Sequence, residues 1–408
     1  MDRPGRAPSW IANANGSAPS RASALKRCIF LLSLAAFASS ASMRVTDALL
    51  PRLAAEFSLG IAASARVITG FAVAYGLMQM LFGPLGDRFG KLRVIALAGG
   101  VAAVASLACF AARDFPGLVA ARVAAGAFCA CIIPLAMAWI GDVVPYEERQ
   151  PVLARFLLGQ IFGLAGGAAL GGFAAQGAAW RWPFALLAAW LAIACALLAW
   201  QSRADPAPRG RAGHFLHDLA RVVRVRWARV VIVTVFLEGV VVFGALAFIP
   251  THLHFARHLE LARAGLALVA FAAGGALFAI GARAALRGLG EVGLALGGTV
   301  ILAGGFLVVA LAQRQPAIAF GCCAAGLGFY MLHNTLQTNA TQMSPERRGA
   351  AMALFASMLF LGQSAGVALS GTLVERFGTA PVMLAMAAAI LPIGFAFAWL
   401  RHTRPASP

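Results

Sequence analysis

Residues 63–112 read ASARVITGFAVAYGLMQMLFGPLGDRFGKLRVIALAGGVAAVASLACFAA. Two apolar runs, 63–83 and 93–112, flank a short turn in which Asp87, Arg88, Lys91 and Arg93 gather. About 20 apolar residues carry a helix across a hydrocarbon core of about 30 Å. Each run is long enough to cross, and the charged turn must lie outside. A barrel strand would alternate apolar and polar positions, which neither run does. The stretch therefore reads as a helical hairpin in a bilayer.

The rest of the chain repeats that pattern. Of its 408 residues, 61% are hydrophobic and 12% charged, with a mean hydropathy of +0.81. Soluble domains carry about 25% charged residues, so a soluble enzyme, a disordered chain and a secreted disulfide scaffold are all excluded. Further apolar runs at 28–50, 117–140, 153–174, 180–200, 229–250, 263–284, 291–312, 316–336, 349–373 and 381–400 bring the expected spans to twelve. The fold expected is all-α and integral to the membrane. Residues 1–26 read as a disordered cytoplasmic tail, 27–201 as a first six-helix bundle, 202–228 as a basic cytoplasmic loop, 229–401 as a second bundle and 402–408 as a tail. Within the loop, 214–225 has the pattern of a short amphipathic helix for the anionic inner leaflet. The seven cysteines lie in or beside apolar runs, without metal-ligand spacing, so neither disulfides nor a metal site is expected.

Orientation follows from the basic residues. With both termini cytoplasmic, 23 of the 33 Lys and Arg fall on that side, eight on the other and two, Arg44 and Arg122, inside spans. The positive-inside rule then puts the protein in the cytoplasmic (inner or plasma) membrane with both ends inside. The net charge of +18 is a topology signal, and no nucleic-acid partner is expected. A shift of 199 residues superimposes Arg149, Gly163, Gly167 and Gly172 on Arg348, Gly362, Gly366 and Gly371, and Gly83 and Gly90 have the same separation as Gly281 and Gly288. That is the mark of a duplicated bundle. Gly159, Gly163, Gly167 and Gly171, with Gly172 beside them, form a stripe on the fifth span. Such a stripe admits a second backbone closely in lipid, as a static packing face or as a sliding one.

A charge at membrane depth costs about 2.5–3.5 kcal/mol on insertion scales, so each is a functional candidate. Arg44 and Asp47 share a face of the first span, and Arg122 in the fourth enters at a similar depth. Pairing of Asp47 with Arg122 would serve either as a static lock or in proton coupling. Glu238 lies near the middle of the seventh span with no basic neighbour in its own helix, a place for a carboxyl that carries a proton. Tyr75 and Gln79 in the second span and His333, Asn334 and Gln337 in the tenth are candidates, with Glu238, to line a cavity between the bundles.

The turn Gly83-Pro-Leu-Gly-Asp87-Arg88-Phe-Gly90-Lys91 resembles the signature G-x-L-x-D-R-x-G-[RK] of the major facilitator superfamily, at its expected place after the second span. Arg122-Val-Ala-Ala-Gly126 is similar to the family's fourth-span element R-x-x-[QA]-G, and Asp47-x3-Pro51 to the D-x3-P element of its twelve-helix drug:proton antiporters. Gly163-x3-Gly167-Ala168-x2-Gly171-Gly172 resembles the antiporter signature G-x3-G-P-x2-G-G, with Ala168 in place of proline. The resemblance implies two pseudo-symmetric six-helix bundles. It implies a cytoplasmic gate at Gly83, Asp87, Arg88, Gly90 and Lys91 that joins the two halves, and proton coupling through Asp47 and Arg122, to which Arg44 and Glu238 are added by their own positions in the spans.

The expectation is a secondary transporter, not an enzyme, that exports small amphiphilic molecules or drugs in exchange for protons. It would work as a monomer among membrane lipids, driven by the proton gradient and needing no cofactor. Export or uptake of sugars or metabolites on the same scaffold is the alternative, since Gln79, Asn334 and Gln337 suit hydroxylated substrates. A non-transporting membrane enzyme or sensor is the remote one, because neither a catalytic motif nor a soluble domain is present in the sequence.

Overall fold

A computed structural model describes residues 18–177, 180–202 and 215–403, and all regular structure among them is helical. In chain order the helices are α1 (Ala18–Arg44), α2 (Leu50–Glu56), α3 (Ile61–Ser64), α4 (Arg66–Phe89), α5 (Lys91–Ala111), α6 (Phe115–Cys129), α7 (Ile132–Val143) and α8 (Tyr146–Ala175). There follow α9 (Trp182–Ser202), α10 (Phe215–Arg224), α11 (Arg226–Leu246), α12 (Ile249–Arg257), α13 (Leu261–Leu311), α14 (Gln315–Gln342), α15 (Arg348–Phe377) and α16 (Thr379–His402). Among the described residues, eleven helical segments are long and apolar enough to cross a membrane, against the twelve expected. The difference lies in α13, which runs for 51 residues but breaks at Gly290, where φ is 64° and ψ 179°. Only glycine adopts that conformation without strain. Each arm of α13 exceeds the length a crossing needs.

Other boundaries also move. Helix α1 starts at Ala18, inside the stretch expected to be a disordered tail; residues 1–17, 203–214 and 404–408 lie outside the described residues. Helix α10 occupies 215–224, where the sequence suggested a short amphipathic helix at 214–225, and α11 begins at Arg226, three residues before the expected start of the second bundle. Helix α10 lies on the second half of the molecule: Val222 is buried in its core and Asp218 Oδ1 accepts from Arg347 Nε at 2.9 Å. The first span is not continuous to residue 50. It stops at Arg44 and restarts at Leu50, and the seventh stops at Leu246 and restarts at Ile249. Pro51 and Pro250 stand in the first turns of the restarted segments. Proline has no N–H to offer the preceding turn and fits a helix start, so both spans break at the same relative place.

The duplication is written in the packing. On α8, a side chain at Gly163 or Gly167 would strike the carbonyls of Phe37 and Ala41 on α1. On α15, one at Gly362 or Gly366 would strike the carbonyls of Phe236 and Val240 on α11, 199 residues further along in every case. Gly126 lies against Phe71 as Gly326 lies against Phe271, at a shift of 200. Gly99 lies against Cys195 as Thr299 lies against Gly394. The positive-φ turn glycine that matches Gly90 is Gly290, not Gly288, which has no such φ. One extra residue in the second half, between the first and second spans of each repeat, changes the register from 199 to 200, and one fewer between the fourth and fifth spans returns it to 199.

The halves meet along two seams, α4 with α15 and α8 with the first arm of α13. On the first seam Tyr75 packs on Phe360 with ring centroids 4.3 Å apart, and Ser364 Oγ donates to the Thr69 carbonyl at 3.2 Å. On the second, Gly172 meets Gly265 backbone to backbone. The start of α1, the end of α16, α10 and the Gly90 and Gly290 turns share one end of the bundle, called here the terminal face; the turns near 57–60, 176–177, 258–260 and 378 share the far face.

Candidate functional site between the two halves

Where α1 breaks, the chain turns through 45–49 and carries Asp47 on that turn. Arg44, the last residue of α1, reaches over it. Its Nη1 lies 3.1 Å from Asp47 Oδ2 in an ion pair almost sealed from solvent. The pair therefore closes across a turn and not along a helix face. Asp47 Oδ1 is buried with no hydrogen-bond partner. The guanidinium of Arg44 also lies 4.7 Å from the centroid of the Phe243 ring on α11, a cation–π contact that crosses between the halves. Phe243 is the residue that the 199 shift pairs with Arg44. Two residues related by a twofold axis touch only beside that axis, so this contact marks the centre of the molecule.

Arg122 does not pair with Asp47, contrary to the expected arrangement. Its Nε donates to the Val67 carbonyl at 3.3 Å and its Nη1 to Ser42 Oγ at 3.2 Å, and its guanidinium lies 4.2 Å from the Phe71 centroid. Ser42 thus makes the link between α1 and α6 that Asp47 was expected to make. Arg122 Nη2 remains buried without a partner, as does Asp47 Oδ1, so donor and acceptor capacity are both held in reserve.

Glu238 faces α14 within its own half. Its Oε2 lies 2.8 Å from His333 Nδ1, and the imidazole is stacked on Phe329 at 5.1 Å and tilted against Phe355 at 5.4 Å. The sequence offered both residues as cavity candidates without joining them. Tyr75 and Gln79 are buried on α4, Gln79 with an unpartnered Oε1, while Gln337 is half-buried and Asn334 exposed. These four are not gathered about Glu238 by any hydrogen bond of their own side chains. What brings Arg44, Arg122 and His333 into place is Phe243, Ser42, Phe71, Phe329 and Phe355; only the repeat shift pointed to any of them.

In the turn after α4, Lys91 Nζ lies 2.6 Å from Asp142 Oδ2 and 3.2 Å from Asp87 Oδ1. Both carboxylates belong to the first half. The side chain of Asp87 is 65% exposed, and the Arg88 guanidinium stacks on its neighbour Phe89 at 5.1 Å. The turn expected to join the halves is thus bonded within one of them. At the far face the halves are clasped: the Ala62 N–H donates to Glu375 Oε1 at 2.8 Å, and Gln176 Nε2 donates to Glu260 Oε2 at 3.3 Å. Hydrogen bonds thus join the halves at the far face, whereas among the described residues the ion pairs of Lys91 at the terminal face stay within the first half.

Of the glycine stripe, Gly159, Gly163 and Gly167 lie against the α1 backbone and Gly171 against Val45 in the turn that follows it, all inside the first half, whereas Gly172 faces α13 across the seam. Among the described residues no cluster of metal-ligating side chains occurs.

Two bundles related by an internal repeat, meeting beside a buried ion pair and joined by hydrogen bonds at one face, have the architecture of a polytopic membrane transporter. The chain matches the Major Facilitator Superfamily over residues 32–347 and belongs to that family; it is a transporter, not an enzyme. An uncharacterized MFS-type transporter of Bacillus subtilis, YwfA, is 28% identical over 89% of each chain. The Penicillium rubens MFS transporter paaT is 30% identical over 36% of this chain, which spans only 26% of that protein. The probable multidrug resistance protein EmrY of Escherichia coli is 28% identical over 38% of this chain and 30% of its own. Among solved structures, a nucleoside transporter NupG mutant superposes with a TM-score of 0.77 at 16% identity, over 93% of this chain and all of that one. A bacterial homolog of the lysosomal transporter Spinster, described as inward-facing, gives 0.73 at 17%, over 94% and 97%. At such identities the likeness is one of fold.

Proposed function

We propose that the chain exports small amphiphilic molecules in exchange for protons, by rocking the two halves about the crevice marked by Arg44 and Phe243. The observation that carries this reading is Asp47: a fully buried carboxylate on the break of the first span, half-satisfied by an arginine that also touches the other half. Discontinuous helices at mid-membrane are where transporters of this kind place coupling ions. Protonation of Asp47 removes the charge that holds Arg44. The arginine is then free to leave Phe243, which loosens one contact between the halves, and loss of the proton restores it. Arg122, with a spare N–H group, and Glu238, held by His333, are the further groups in that relay. Tyr75, Gln79, Asn334 and Gln337 are assigned to the cavity wall. Asp87, Arg88 and Lys91, with Gly83 and Gly90 giving the turn its shape, join the halves in the alternate state. The energy source is the proton gradient, with no cofactor. The protein acts as a monomer in the cytoplasmic membrane with both termini inside. The resemblance of part of the chain to proteins named for multidrug resistance supports a drug-like substrate.

The test uses everted vesicles with an acid lumen and a panel of amphiphilic compounds, reading proton release on compound addition with a pH-sensitive dye. Wild-type protein should release protons with at least one compound. Asp47→Asn, expressed to the same level, should lower that signal at least tenfold. An undiminished signal in the variant removes Asp47 from the relay and the mechanism with it.

A further inference from the structure

On the outer surface of the second half, α11 and α16 part to leave a groove of about 490 Å³, within the range of about 300–1,000 Å³ common to small-molecule sites. Its floor and walls are apolar: Val233 and Leu237 from α11, Phe397 and Leu400 from α16. Its mouth, at the terminal face, is formed by Arg226 and Arg229. Three residues apart, these share a face of α11, and Val233 and Leu237 continue the same stripe. Both arginines are exposed and neither has a carboxylate partner among the described residues. Carboxylates of the second half at this face are engaged elsewhere: Glu291 with Arg401 at 3.0 Å, and Asp218 and Glu346 with Arg347. Trp227, between the two arginines in sequence, stacks on Phe397 with centroids 6.0 Å apart and ties the groove's two walls together.

We propose that this groove is a binding site for an anionic glycerophospholipid. Two guanidiniums on one helix face suit a phosphate, which each can engage through paired N–H donors. From Arg226 to Leu237 the helix rises about 16 Å, so a phosphate at the mouth leaves room for an acyl chain along Val233 and Leu237. The wall is too apolar for a free phosphate or nucleotide. A net negative headgroup is favoured over a zwitterionic one because the cationic part of the latter would face uncompensated arginines, each worth about 1 kcal/mol toward an anionic surface. Leu237 is the neighbour of Glu238 in α11, so an occupied groove packs against the helix that carries the Glu238–His333 pair.

The site is tested on the purified full-length protein by native mass spectrometry, titrating phosphatidylglycerol and phosphatidylcholine of identical acyl chains. The wild type should retain one phosphatidylglycerol at least tenfold more tightly than phosphatidylcholine. Arg226→Gln with Arg229→Gln should remove that preference. Arg221→Gln with Arg224→Gln, which takes the same charge from neighbouring α10, should keep most of it. Val233→Trp, which fills the groove and leaves both arginines, should lose the bound lipid as well and serves as the deciding variant if the double arginine change fails to fold. Equal retention of the two lipids by wild type, a preference that survives in either groove variant, or occupation of the face by a second copy of the chain instead of lipid overturns the proposal.

Discussion

At the scale of single residues, the four-residue glycine spacing on α8 was legible in sequence while its partner was not. Any helix could lie on such a stripe; the structure shows that it is α1, and that only Gly172 faces the other half. A methyl group on Gly167 would strike the Ala41 carbonyl, which is backbone and cannot step aside. A methyl on Gly166 meets only the ring tip of Phe37, at 3.2 Å. Gly167→Ala should therefore destabilise by about 1–3 kcal/mol, the usual cost of overpacking, and lower the unfolding temperature by several degrees in a thermal scan of detergent-solubilised protein. Gly166→Ala should stay within about 0.5 kcal/mol of wild type. Equal losses would mean that the stripe is not a packing face. The buried charges were legible for the same reason the glycines were, because lipid makes such residues conspicuous. Their partners were hidden by chemistry. A guanidinium has five donors, and Arg122 turns them to a hydroxyl, a carbonyl and a ring, leaving Nη2 unpartnered, instead of to the carboxylate that charge alone suggests.

At the scale of helices, length and hydropathy gave the spans, but breaks and turns depend on one residue's backbone. Gly288 and Gly290 look interchangeable in sequence: a shift of 199 from Gly90 falls on Leu289 between them, and the equal spacing of Gly83–Gly90 and Gly281–Gly288 favours the first. The structure assigns the turn to Gly290, at φ 64°, while Gly288 is helical with open space where a side chain would go. Gly290→Ala should cost about 1–3 kcal/mol as a forced strained conformation. Gly288→Ala should be neutral or gain up to about 1 kcal/mol in helix propensity, and the two unfolding temperatures should move in opposite directions or differ by several degrees. A loss at Gly288 instead would place the turn two residues earlier, where the Gly83–Gly90 spacing put it. Pro51 and Pro250 show the converse. A proline at the end of an apolar run reads as its boundary, yet each stands at a restart, and the break it causes is what sets Asp47 on a turn.

At the scale of the whole molecule, the two far-face clasps are themselves repeat mates. Glu375 on α15 stands where Gln176 stands on the first half, and the Gly60–Ala62 turn stands where Glu260 does, within the same shifts of 199 and 200 that relate the helix pairs. A crevice that opens to each face in turn must break both clasps together, since rotation about a central axis moves symmetry mates alike. Both are exposed, so each hydrogen bond contributes only about 0.5 kcal/mol, and removing both should change the closed-to-open ratio by about fivefold. Spin labels at Arg113→Cys and Arg314→Cys, exposed at the far-face ends of the two halves, report that ratio. The native cysteines are buried except Cys323, which is half-buried and is replaced by serine. Glu375→Ala with Gln176→Ala should add a longer-distance population to the single short one of the parent. It should do so without changing the distance between two labels placed within one half. If the distribution is unmoved, closure rests on the backbone seams at Gly172 and Gly371 alone, and the clasps follow the motion without holding it.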